Sequence, residues 1–442
     1  MNTHFTLTAA QITLPMSEAR AREIAASFDL RKLPADFLAN PYPVYAMLRE
    51  TEPVRRMPDG SVFLTRYADL ITVYRDASTF SSDKKVEFAP KYNHAPFGGD
   101  RTDSPLFEHH THSLVFNDPP LHTRVRKLIM GALTRRAIAD MEPGLITLVD
   151  GLLDAIEARG GGDLIEDFAS AIPVEIIGNL LGVPVADRGP LRGWSLAILG
   201  ALEPVLTAEQ EALGNQSVSD MLVYLKGLVA ERRRRPGNPE HDVLTRLIQG
   251  ESSGEKLSEV ELLQNCIFLL NAGHETTTNL IGNALLSLQE YPAARDKLLT
   301  DLGRHAGDAA AHESVLTLAV DEFLRFESSN QLGNRRALKA ADVGGVALDA
   351  GTLVTLCIGA ANRDPAQYAS PETLDLCREN NKHLAFGFGI HQCAGLSLAR
   401  LEGRIAVGRF LQRFPGYRLS AVPMRGGRAR FRGFLNAPFR ID

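Results

Sequence analysis

The sequence predicts a mainly α-helical protein with small β-sheets. Helix-forming patterns recur from residue 118 to 290 and again from Ser314, whereas strand patterns are short and confined to residues 55–65 and 343–358. No internal repeat and no composition shift marks a linker. The 442 residues are therefore expected to form one domain, 1–442, with 1–40 as an N-terminal extension.

Asn40-Pro41-Tyr42-Pro43 opens a helix running to about Arg49, since proline is tolerated in a first turn, and Pro53 closes it. Residues 55–65 are expected as a hairpin turning at Pro58-Asp59-Gly60, and 67–74 as helix. From 81 to 117 periodicity disappears, and glycine, proline and four histidines (His94, His109, His110, His112) enter. This stretch is expected as a long polar loop, of the kind that serves as a lid or binding element. Its histidines have no fixed ligand spacing. Asp118-Pro119-Pro120 marks a helix entrance, followed by His122 and Arg126 four apart on one face. Helical patterns cover 138–159, 164–181 despite Pro173, 187–206 and 209–235, with a loop at 160–163. The run Arg232 to Arg235 suits a helix C-terminus.

Ser258-Glu259-Val260-Glu261 is a capping box that starts a helix over 258–290, roughly 45 Å long. Its middle is apolar through Phe268 and Leu270, then turns to Asn271-Ala272-Gly273-His274-Glu275-Thr276-Thr277. Polar, helix-poor residues at the centre of a buried helix cost stability, and such violations concentrate at functional sites. Threonine bonding back to its own helix would kink it. His274-Glu275 lacks the second histidine that a zinc-protease helix requires.

The densest signal is residues 386–395, Phe386-Gly387-Phe388-Gly389-Ile390-His391-Gln392-Cys393-Ala394-Gly395. Glycines let the backbone turn tightly and approach something flat. A thiol just before a helix sees the positive end of its dipole, which favours thiolate. A single thiolate ligand suggests haem iron rather than zinc, with Cys393 as the metal ligand.

Composition narrows the class. Apolar content of 44% and charged content of 23% are those of a globular enzyme, and a net charge of −5 argues against nucleic acid. Four unpaired cysteines (Cys266, Cys357, Cys377, Cys393) fit a reducing compartment. No apolar run reaches the eighteen or so residues of a membrane span, and no signal peptide is evident, so a cytoplasmic protein is expected.

The loop at 386–395 resembles the cysteine-ligand loop of the cytochromes P-450, Phe-x-x-Gly-x-His/Arg-x-Cys-x-Gly, matching at Phe386, Gly389, His391, Cys393 and Gly395. Further motifs follow that family's order from about Pro41 to the end. The resemblance implies a triangular-prism cytochrome P-450 fold with the long helix over haem b. His122, Arg126, Arg335 and His391 would hold the propionates, and Phe386, Gly387, Gly395, Ala272 and Gly273 would pack on the haem. Ala272-Gly273-x-Glu275-Thr276 is similar to the oxygen-binding groove, with Thr276 beside dioxygen and Glu275 feeding protons. Glu322-x-x-Arg325 would form a buried network with Arg378. Segment 81–117 would cover a substrate touching Phe268, Asn271, Asn330, Gln331 and Phe431.

The implied activity is that of a soluble, bacterial-type haem-thiolate monooxygenase. It would use O2 for hydroxylation or O-dealkylation of a small-to-medium hydrophobic substrate. Electrons would come from NAD(P)H through a 2Fe–2S ferredoxin and an FAD-dependent ferredoxin reductase, with Arg124, Lys127, Arg135 and Arg136 as a docking patch on a monomer. A peroxide-driven relative, an isomerase or a haem sensor would have little use for the Glu275–Thr276 pair.

Overall fold

The computed structural model describes residues 12–92, 104–239, 242–250 and 256–441. Its axis is the helix Glu259–Glu290, started by the capping box as expected: Glu261 N–H donates to Ser258 Oγ at 3.2 Å, and Ser258 N–H to the Glu261 carboxylate at 2.8 Å. Helices Ala171–Leu181, Leu191–Gly200, Ala208–Arg234 and Leu396–Arg413 pack around it. Several of its polar side chains bind these surroundings. Asn265 accepts from the Leu114 N–H at 3.0 Å, Asn283 donates to the Arg432 carbonyl at 3.0 Å, and Gln289 donates to the Tyr417 carbonyl at 3.0 Å.

A five-stranded sheet lies beside the helices in the order Val54–Arg56, Val62–Leu64, Leu353–Cys357, Leu332–Ala337, Phe80–Ser81. The first pair is the expected hairpin, and Val62–Leu64 joins Leu353–Cys357 in parallel. Residues 161–163, expected as loop, instead pair with the C-terminal strand Pro438–Arg440. Gly161 has φ +146°, and a Cβ there would overlap the Phe439 carbonyl, so the close strand approach requires glycine.

The long loop expected over 81–117 is largely helical where described, at Lys85–Lys91 and Pro105–His112 with a 3₁₀ turn Leu114–Phe116. The buried side of Pro105–His112 is Leu106, His109, His110 and Thr111, so no apolar period advertises it. Its histidines diverge: His109 Nδ1 meets Gln264 at 3.1 Å, His110 Nδ1 meets Tyr92 at 2.8 Å, and His112 Nδ1 meets the Glu108 carbonyl at 2.8 Å. His94 lies outside the described residues. Within the expected N-terminal extension, Glu18–Ala26 and Ala35–Ala39 are helices, and Phe28 and Phe37 pack with Tyr45 and Phe63. Only Leu191–Gly200 of the helix expected over 187–206 is α-helical. Over 164–181 a π-helical stretch Leu164–Ala169 gives way at Ser170 to a new helix, placing Pro173 in a first turn. Among the described residues no helix is long and apolar enough to cross a membrane.

Helix Ala309–Phe326 ends in the Glu322–Arg325 pair, and neither side chain is exposed. Arg325 Nε and Nη2 each donate to the Glu322 carboxylate at 2.8 Å, Arg378 Nε adds a bond at 3.1 Å, and Asn381 Nδ2 another at 3.0 Å. Arg325 also holds the Asn362 and Pro371 carbonyls, both at 2.9 Å. Removing the carboxylate strands two cations, one of them fully buried. Glu322→Ala is expected to cost about 3–5 kcal/mol, read as a lowered urea midpoint.

Candidate functional site

The cysteine loop, the middle of the long helix and the strand Leu332–Ala337 meet on one cavity of about 350 Å³. Cys393 lines it with Phe386, Gly387, His391 and Gly395. The loop closes on itself, because Cys393 N–H donates to the Phe386 carbonyl at 2.8 Å. Gly389 has φ +73°, and a Cβ there would lie 2.5 Å from the Tyr74 carbonyl oxygen, so this position admits only glycine. The Arg400 guanidinium caps the Phe386 ring at 4.9 Å from its centroid. Burial pushes the Cys393 thiol up, while the Gly395 N–H, Arg126 and Arg400 oppose the shift.

His122 and Arg126, from helix Leu121–Ala132, line the same cavity, as does Arg335, while its neighbour Arg336 does not. Arg335 donates to the Asn334 carbonyl at 2.8 Å and lies over the Tyr74 ring at 5.2 Å. Among the described residues, neither Arg126 nor Arg335 is paired with a carboxylate. The His122 and His391 rings sit 4.1 Å apart, and both His122 nitrogens and His391 Nε2 are buried without partners. Burial holds His122 down at about 4 and His391 at about 2, so both are neutral at pH 7.

Ala272, Gly273 and Thr276 line the cavity. Thr276 Oγ1 donates to the Ala272 carbonyl at 2.7 Å, the helical back-bond, and the Thr276 carbonyl accepts from Ser329 Oγ at 2.9 Å. Glu275 lies elsewhere. It lines a separate cavity of about 20 Å³, room for a single water, with Arg192, His274 and Arg428. Arg428 Nη1 donates to Glu275 Oε1 at 2.7 Å, and Oε2 has no partner. Burial outweighs that pairing and pushes the Glu275 carboxyl up to about 7.

Phe268, Asn271, Asn330 and Phe431 line the large cavity, whereas Gln331 does not. Successive residues of an extended chain face opposite sides, and Gln331 instead donates to the Ser328 carbonyl at 2.7 Å and to Tyr42 Oη at 3.3 Å. Both amide atoms of Asn271 and the Asn330 Oδ1 are buried without partners among the described residues. Arg124 leaves the expected docking patch, since its guanidinium pairs with Glu261. Sequence reasoning missed the lining pair Lys84–Glu87, 2.6 Å apart, and the roles of Arg428, Arg430 and Arg432. The last three belong to Arg425-Gly-Gly-Arg428-Ala-Arg430-Phe-Arg432, and such an arginine run beside an apolar core was the available signal.

The family model described as Cytochrome P450 matches residues 202–423. Cytochrome P450 107B1 of Saccharopolyspora erythraea is 37% identical over 390 residues, 86% of this chain and 89% of that protein. The vitamin D(3) 25-hydroxylase of Pseudonocardia autotrophica is 37% identical over 378 residues, 84% of this chain and 86% of that protein. A crystal structure of P450BioI with a hexadec-9Z-enoic acid ligated acyl carrier protein superposes with a TM-score of 0.81 at 31% identity, covering 92% of this chain and all of that one.

The chain belongs to the cytochrome P450 family. It is a cytochrome P450 monooxygenase, and the family implies haem. The residues present fit that cofactor. Two guanidiniums without acid partners suit its two carboxylates, the orphaned imidazole nitrogens supply further polar contacts, and a thiol reaches the same cavity.

Glu275 makes stability pH-dependent. Its carboxyl titrates near 7 when folded and near 4.5 when unfolded, so the folded state binds the extra proton between those values. Its contribution is complete below about pH 4.5 and falls by about 3 kcal/mol as pH rises through 7. Urea midpoints at pH 5, 6 and 7 are expected to fall more steeply for the wild type than for Glu275→Gln.

Proposed function

We propose that this P450 inserts one oxygen atom of O2 into a neutral, largely hydrocarbon substrate. Its electrons would come from NAD(P)H through an FAD-dependent reductase and a 2Fe–2S ferredoxin. The observation that carries this reading is the convergence of Cys393, Arg126 and Arg335 on a cavity otherwise lined mainly by aliphatic and aromatic side chains. Bound haem would supply the redox chemistry, activating O2 with two electrons, transferring one oxygen atom and releasing the other as water. Cys393 would hold its iron as the thiolate, Arg126 and Arg335 would pair with its carboxylates, and neutral His122 and His391 would add hydrogen bonds.

The neighbouring charges support a neutral substrate. Lys84 is matched by Glu87, and Glu203 accepts from the Arg430 backbone while the Arg430 guanidinium is spent on the Leu332 and Leu202 carbonyls and on Asn334. Once two haem carboxylates meet Arg126 and Arg335, no bare cation is left among the described lining residues to bind a substrate acid. Two relatives, a vitamin D(3) 25-hydroxylase and a P450 crystallised with a hexadec-9Z-enoic acid ligated acyl carrier protein, support a large hydrocarbon body.

Thr276 holds its proton on Oγ1 against the Ala272 carbonyl, so its lone pairs can accept a hydrogen bond at the cavity. Donating that proton requires breaking the back-bond. Glu275, titrating near neutrality and paired with a partly exposed Arg428, is suited to take a proton from the solvent side and to release one. Exposed Arg135 and Arg136, with the exposed apolar Met130 and Ile390, support docking of an acidic electron carrier.

Dithionite reduction followed by CO is expected to give the strongly red-shifted Soret band of thiolate-bound haem, and Cys393→His the band of ordinary histidine ligation. Purified protein without haem would overturn the reading. Asn271→Leu is expected to change the affinity of hydrophobic ligands, followed by spin-state titration, at unchanged haem content. Identical affinities across a ligand panel would remove Asn271 from the substrate site.

A further inference from the structure

One polar side chain of the cavity has no part in the chemistry above. His110 lines the cavity and is 2% exposed. Its ring stacks on Tyr92 at 5.6 Å and lies 5.5 Å from Phe88 and 5.9 Å from Phe116. Nδ1 is 2.8 Å from the Tyr92 hydroxyl, and Nε2 has no partner among the described residues.

Tyr92 decides which nitrogen carries the proton. Its hydroxyl has one hydrogen, and the Ala201 carbonyl, 3.0 Å away, can only accept, so the hydrogen goes there. The Tyr92 oxygen must then accept from His110, which puts the ring proton on Nδ1. Burial, helped by His109, Lys91 and Arg430, keeps the imidazole from taking a second proton. Nε2 is left as a bare acceptor in a nearly dry wall, an arrangement that is costly unless a ligand supplies the donor. Asn271 can donate or accept and so reads no polarity. His110 reads one sense only.

We propose that His110 Nε2 accepts a hydrogen bond from a hydroxyl or N–H of the substrate, so that this P450 selects neutral hydrocarbon molecules carrying a donor over the same molecules with the donor capped. The proposal rests on the cavity being the substrate site, as argued under the proposed function. A site built to bond one polar group rejects the analogue lacking it, because its own buried group is then unpaired.

The test is a spin-state titration of the holoenzyme with alcohol and methyl-ether pairs: testosterone, cholecalciferol, borneol and dodecanol, each with its O-methyl ether. The wild type is expected to bind the alcohols about tenfold or more tightly than their ethers. His110→Phe should lower alcohol affinity to that of the ether. Tyr92→Phe frees the ring proton to move to Nε2, and should shrink the alcohol preference while improving binding of the matching ketone, androstenedione. Equal binding of alcohols and ethers by the wild type, a preference that survives in His110→Phe, or no spin shift with any pair would overturn the proposal. The CO spectrum separates this failure from that of the underlying reading. Variants with an intact thiolate band and an unchanged preference sink the role of His110 alone, whereas a wild type without that band sinks the haem site.

Discussion

A single carboxylate with no exposure holds the cysteine side of the molecule together. Arg325, Arg378, Asn381 and the Asp375 N–H all converge on Glu322. Desolvating a carboxylate is expensive, and only a full set of donors compensates it. That requirement ties the end of helix Ala309–Phe326 to the segment that runs into the cysteine loop. Arg325 extends the tie through the Asn362 carbonyl, and the Asn362 side chain takes the Leu384 N–H at 2.7 Å, two residues before Phe386. The path of the loop follows from satisfying one buried charge.

The long helix meets the opposite requirement. It must be buried on most sides and yet leave space beside Ala272, Gly273 and Thr276. Small residues create that space, and the polar side chains flanking it are bound to neighbours or left orphaned in the cavity wall. The C-terminal arginine run supplies much of the compensation. Arg428 meets Glu275, Arg432 meets Glu327, and the Arg430 backbone meets Glu203. Each pairing joins segments that are far apart in the chain and brings the residues around Phe431 to the cavity.

What was legible beforehand was local. The capping box, the hairpin at Gly60 and the glycines of the cysteine loop are constraints between near neighbours, and the structure holds each of them. The 81–117 segment was not legible, because a helix whose buried face is one leucine, two histidines and a threonine carries no apolar period. Gly160 to Asp163 looks like a loop until its partner strand, more than 270 residues away, is known. Gln331 and Asn330 have similar chemistry, and only the side of the chain each faces separates them.

By itself, the sequence determined the mainly helical class, the start of the long helix, and a cysteine held in a glycine-rich turn before a helix. These rest on φ, capping and spacing, which act within a few residues. The tertiary structure alone decided that Arg335 and not Arg336 reaches the cavity, that Glu275 turns to Arg428 while Thr276 turns to the cavity, and that Tyr92 sets the polarity of His110. Adjacent side chains point in different directions, and what each meets is set by packing against segments distant in the chain.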